Sequence, residues 1–88
     1  MSVMRRTSRR SAGKRLPRDP RQELLRKLGE RVRALRHERG LTQGALADSL
    51  DLSVAYVSLI ERGGRNPPYT TVVAIATALG VAPRDICE

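Results

Sequence analysis

The chain carries a single histidine, His37, and a single cysteine, Cys87, and no Ser, Cys or carboxylate accompanies His37 in a recognisable nucleophile or metal arrangement. One thiol makes neither an internal disulfide nor a multi-thiolate metal site within one chain. Glu30, Glu38 and Glu61 read as helix charges rather than acid–base machinery, and Gly63-Gly64 lacks the flanking context of a phosphate loop and reads as a helix stop. The residue types therefore predict no enzyme, no cofactor and no metal. The chemistry they do support is attachment to a polyanion. Of 17 basic and nine acidic residues, eight basic and one acidic fall in 1–22, so that stretch is +7 and the remainder +1. Arg5, Arg6, Arg9, Arg10, Lys14 and Arg15 form the body of this basic arm. An Arg- and Ser-rich, acid-poor start also resembles an organelle transit peptide.

The elements that must position any such chemistry follow from size and patterning. Eighty-eight residues hold one domain and one core. With no Phe or Trp, and only Tyr56 and Tyr69, that core is built from Leu, Val, Ile and Ala, which suits short packed helices. Residues 1–22, with Gly13, Pro17 and Pro20 and few large apolar groups, are expected to be a disordered arm, and 23–88 the folded domain, with Pro20 marking the boundary with the first helix. No apolar run approaches the roughly 20 residues that span a bilayer, so the expectation is a soluble, cytoplasmic protein.

Apolar spacing predicts five helices. From residue 23 to near Gly40, Leu24, Leu25, Leu28, Val32 and Leu35 recur mostly at three- and four-residue steps. Thr42 caps a second helix, 43–50, with Leu46, Ala47 and Leu50 inward. Ser53 caps a third, from 54 to 61 or 62, with Val57 and Ile60 inward and Gly63-Gly64 as its stop. A fourth, 69–79, buries Val72, Ile75, Ala76 and Leu79 and stops at Gly80; a short fifth covers 83–87. The fold class is all-α: a compact five-helix bundle.

Thr42-Gln43-Gly44-Ala45-Leu46-Ala47 through Tyr56-Val57-Ser58-Leu59-Ile60-Glu61-Arg62-Gly63 closely resembles the Cro/repressor-type (XRE-like) helix-turn-helix family, whose fold is lambda-repressor-like. Leu28-Gly29, Val32, Leu35-Arg36, Arg65-Asn66-Pro67, Ile75-Ala76 and Ala78-Leu79-Gly80-Val81 extend the resemblance over about residues 24–87. It implies a partly buried ion pair between Arg36 and Glu61, joining the first helix to the third. It also implies that the third helix lies in a DNA major groove with Val54, Ala55 and Leu59 toward the bases and Ser58 nearby. Related sequences often carry hydrogen-bonding side chains there; three apolar groups contact thymine methyls or exclude water, leaving Ser58, Tyr56, Arg62 and DNA deformability to discriminate. Phosphate anchors are expected at Gln43, where side-chain amide and free backbone N–H groups meet, and at Tyr56, Arg62, Arg65, Asn66 and, more weakly, Thr70. Ala45 removes the Glu of a capping box, Gly44 weakens the second helix, and Asp51 stands where the turn usually has Gly.

One such module covers few base pairs, so the expected form is a homodimer on an inverted repeat in double-stranded DNA, acting on transcription as repressor or activator. The subunit contact is expected at the fifth helix and the end of the fourth, with Val81, Ile86 and Cys87. The competing reading is a protein-interaction module, antitoxin-like or regulator-binding, that uses the apolar face of the third helix while the arm binds nucleic acid without specificity.

Overall fold

The computed structural model describes residues 19–87, and within them the chain forms five helices: α1 (Pro20–Glu38), α2 (Gln43–Leu50), α3 (Val54–Glu61), α4 (Tyr69–Leu79) and α5 (Arg84–Cys87). The arm residues Arg5, Arg6, Arg9, Arg10, Lys14 and Arg15 lie outside the described residues. α1 begins before the expected domain boundary at residue 23. Asp19 is its cap, with its carboxylate accepting the Arg21 N–H at 2.8 Å, and Pro20, which has no N–H to satisfy, fills the first helical position. Residues 20–22, expected in the arm, are therefore helical.

The helix ends carry the local logic of the sequence. Thr42 Oγ1 accepts the Ala45 N–H and Ser53 Oγ the Tyr56 N–H, both at 3.0 Å, so α2 and α3 each start on a hydroxyl cap. α2 stops where Asp51 takes φ 58°, a left-handed conformation that lets Leu52 N–H reach the Ala47 carbonyl at 2.9 Å. The same closure ends α3 at Gly63, with Gly64 N–H on the Leu59 carbonyl at 2.8 Å.

Val32, Leu35, Leu46, Ala47, Val57, Ile60, Val72, Ile75, Ala76, Leu79 and Ile86 form one buried cluster. α3 packs on α1 and α2, α4 on α2, and α5 on α1. Two expectations change here. Leu24 is 62% exposed, because it lies at the edge of the apolar stripe and near the helix start, where the bundle gives it little to pack on. Ile86, expected at the subunit contact, is 2% exposed: α5 folds back on α1, with Arg31 Nε donating to the Asp85 carbonyl at 2.8 Å, and Ile86 completes the core.

Gly29 sets how α1 meets α3. A Cβ there would lie 2.5 Å from the Glu61 carbonyl oxygen, so the two backbones touch at a place with no room for a side chain. This close crossing brings Arg36, two turns further along α1, beside the end of α3.

Candidate nucleic-acid interface

Arg36 and Glu61 are both 6% exposed and form a two-pronged ion pair: Arg36 Nε to Glu61 Oε2 at 2.7 Å and Arg36 Nη2 to Oε1 at 3.0 Å. Arg36 Nη1 donates to the Leu41 carbonyl at 2.8 Å, which fixes the loop entering α2. Gln43 Nε2 donates to Glu61 Oε1 at 3.0 Å. Burial pushes the Glu61 carboxyl up, but the hydrogen bonds from Arg36 and Gln43 and the charges of Arg36 and Arg33 outweigh it and hold the group below its ordinary value. Three helices thus meet on one carboxylate. The amide nitrogen of Gln43 has two hydrogens, so one remains for a further acceptor at the start of α2.

Around this network lies a cleft of about 460 Å³ lined by Arg33, Arg36, Gln43, Ser58, Glu61 and Arg62. It joins the expected ion pair, Arg36 and Glu61, to three of the expected DNA-contact residues, Gln43, Ser58 and Arg62, and adds Arg33, which sequence reading missed. Arg33 sits three positions before Arg36, almost one helical turn away, so the spacing itself was the available signal. Its place on the charged face of α1 disguised it as an ordinary solvated charge. Among the described residues neither Arg33 nor Arg62 makes an ion pair; Arg62 Nε donates to its own helix, at the Ser58 carbonyl, at 3.3 Å.

On the other side of α3, Asp51, Leu52, Ser53, Ala55, Tyr56, Leu59 and Arg65 line an open concavity of about 410 Å³. Val54 is 49% exposed at the first turn of α3, Ala55 is exposed, and Ser58 and Leu59 are half-buried. Tyr56 is also half-buried and packs against the core. α3 therefore presents a polar side, with Ser58 and Arg62, and an apolar side, with Ala55 and Leu59. Asn66 falls elsewhere: it lines a groove with Leu24, Leu25, Leu28, Pro67, Val72 and Cys87. Thr70 is exposed and lines neither concavity beside α3.

Two capped helices joined by a tight left-handed turn, the second exposed along one side and pinned to the body by Val57 and Ile60, define a helix-turn-helix protein. A family model for the helix-turn-helix domain matches residues 27–86. The transcriptional regulator DdrOP3 of Deinococcus deserti is 42% identical over 62 residues, covering 70% of this chain and 48% of that protein. The control protein C.BamHI of Bacillus amyloliquefaciens is 39% identical over 61 residues, covering 68% of this chain and 75% of that one. The crystal structure of the restriction-modification controller protein C.AhdI of Aeromonas hydrophila superposes with a TM-score of 0.68 at 42% identity, over 70% of this chain and 94% of that one. The chain belongs to the helix-turn-helix family of Cro/repressor-type, XRE-like transcription regulators, which are not enzymes. It spans about half the length of DdrOP3.

Proposed function

We propose that the chain is a sequence-specific DNA-binding regulator of transcription that sets α3 in the major groove of an inverted-repeat operator and works as a homodimer. The observation that carries this reading is the pair of guanidinium groups without an ion-pair partner among the described residues, Arg33 and Arg62, on the cleft where Gln43 is held by Glu61. A phosphate on that cleft meets two point charges and a pre-oriented amide donor, while the exposed side of α3 faces the base edges. Gln43, Arg33, Arg62 and Arg65 are the phosphate anchors, with Tyr56, Asn66 and Thr70 as outer contacts; Val54, Ala55, Ser58 and Leu59 face the bases. The basic residues ahead of Asp19 follow the backbone or enter a neighbouring minor groove.

Similarity to control proteins and to the immunity repressor of Bacillus phage phi105, 46% identical over 54 residues, supports action near a promoter in a bacterial or phage setting. No helix among the described residues is long and apolar enough to cross a membrane, in keeping with work in the cytoplasm on the nucleoid. With Ile86 taken up by the core, the dimer contact falls to the exposed surface around the end of α4 and α5, including half-buried Val81 and exposed Cys87.

One observation favours a second reading. Val54 is a large exposed aliphatic group at the start of α3, on the helix that also carries exposed Ala55 and half-buried Leu59, and such apolar groups also suit a protein partner, with the basic segment alone holding nucleic acid. Selection of genomic fragments by full-length protein at physiological salt separates the two. Recovery of one short inverted repeat, with affinity that falls steeply as salt rises, supports the DNA reading. Equal binding to every fragment, lost on removal of residues 1–18, supports the protein-docking reading.

A further inference from the structure

The exposed apolar residues of α3 have no role in the fold that accounts for them. Val54 is half exposed and Ala55 is exposed, outside the buried core cluster, and β-branched Val is a poor choice for a helix on conformational grounds. Val54 Cγ2 lies 3.9 Å from the position a Cβ would take on Gly44, and Leu59 Cδ2 lies 3.3 Å from that of Gly64, so each branched side chain stands beside a glycine. Ala55 and Leu59 line the open concavity with Leu52, Tyr56 and Arg65, while Val54 stands outside it, at the first turn of α3 near Gly44.

Apolar side chains on a groove-reading helix have one matching feature on the major-groove edge of DNA. The C5-methyl of thymine projects there; cytosine offers only a small C–H at the same place, and the hydrogen-bond donors and acceptors of that edge would lose water against Val54, Ala55 and Leu59 without repayment. Building on the major-groove reading above, we propose that these apolar residues of α3 form a pyrimidine C5-methyl reader. It selects thymine by its methyl group and, because 5-methylcytosine carries the same group at the same place, it accepts a methylated cytosine where it rejects cytosine. On the polar side, Ser58 supplies a directional contact to neighbouring bases and Arg62 a contact to the backbone. Binding by this regulator is thereby sensitive to cytosine methylation of its site.

The test uses wild-type full-length protein and the inverted repeat recovered by fragment selection, with affinity read by fluorescence anisotropy. Each thymine of a half-site is replaced in turn by deoxyuridine, which removes the methyl group and nothing else. Loss of about fourfold is expected at one or more positions in each half-site, the value of one buried methyl group. Cytosine placed at such a position should bind weakly, and 5-methylcytosine should recover about fourfold over it. Val54→Ser and Ala55→Ser, both on exposed positions, should weaken binding to thymine and abolish the thymine-to-deoxyuridine ratio at the methyl each contacts, whereas Arg33→Ala should weaken both DNAs and leave that ratio unchanged. Equal affinity for thymine and deoxyuridine at every position, or a ratio untouched by both serine variants, would overturn the methyl-reading proposal while leaving sequence-specific binding intact. Failure to recover any repeat would instead overturn the major-groove reading itself, and this proposal with it.

Discussion

Gln43, the first residue of α2, donates to Glu61, the last residue of α3, across 3.0 Å, and Glu61 is itself held by Arg36 of α1. The start of one helix of the helix-turn-helix is thereby tied to the end of the other. The phosphate anchor proposed at Gln43 and the base-reading surface proposed on α3 are held by one buried carboxylate. Orienting a contact residue through a buried partner lowers the ordering cost at the moment of binding.

Removing either side of the Arg36–Glu61 pair leaves a charge stranded in the core. Arg36→Ala is expected to cost about 3–5 kcal/mol of folding stability, measured by urea denaturation with an unchanged slope. Arg36→Met tests the nature of the loss, because it restores bulk without charge and should be nearly as damaging while Glu61 remains.

The lowered pKa of Glu61 gives a pH dependence with a definite sign. The carboxylate binds its proton more weakly in the folded chain than in the unfolded one, so its contribution is fully present above the ordinary carboxylate range and is lost as pH falls through the folded value. Thermal melts should therefore show stability dropping on acidification below that range. In Glu61→Gln the drop should be shallower; an identical profile would assign the acid sensitivity to other groups.

Gly29 admits no side chain. Gly29→Ala should destabilise the fold by about 1–3 kcal/mol or more despite alanine's better helix propensity, because the Cβ meets the α3 backbone and α1 must move away. Such movement also shifts Arg36, so DNA affinity should fall along with the melting temperature.

Arg33 and Arg62 should behave as phosphate contacts. Arg33→Ala and Arg62→Ala are each expected to weaken binding to all DNA sequences alike and to lower the slope of log affinity against log salt by about 1, with stability changed by less than about 0.5 kcal/mol. Sequence preference should survive in both.

Asp51 carries a left-handed backbone that glycine adopts without strain. Asp51→Gly should be neutral or stabilising by up to about 1 kcal/mol, and Asp51→Val should destabilise by about 1–2 kcal/mol, as read by chemical denaturation.

Most of this arrangement was legible in the sequence because it rests on local chemistry. Thr42 and Ser53 announce helix starts, Gly63 and Gly80 announce stops, and Val57 with Ile60 gives the buried side of α3. The misplaced features are those decided by distant packing. Leu24 has the spacing of a core residue but lies at the stripe's edge, near the helix start, and Ile86 has the look of a terminal surface residue but is covered by α1. Arg33 was overlooked for the same reason: its significance comes from Glu61 and Gln43, distant in sequence and adjacent in space. Pro20 marks the boundary of α1 in the sequence as in the structure; the basic residues around Asp19 drew 20–22 into the arm, although an Asp-Pro pair is a recognisable helix entry.

The central claim is that α3, flanked by Arg33 and Arg62, enters the major groove of a two-fold DNA site. Hydroxyl-radical footprinting of the selected genomic fragment tests it most directly. The account predicts two protected patches, centred about one helical turn or a whole multiple of it apart and related by two-fold symmetry, both lost in a Gln43→Ala, Arg62→Ala double variant that still melts cooperatively. Protection spread evenly along the fragment, unchanged in that variant, would contradict it and leave the basic N-terminal segment as the only part of the chain that holds DNA.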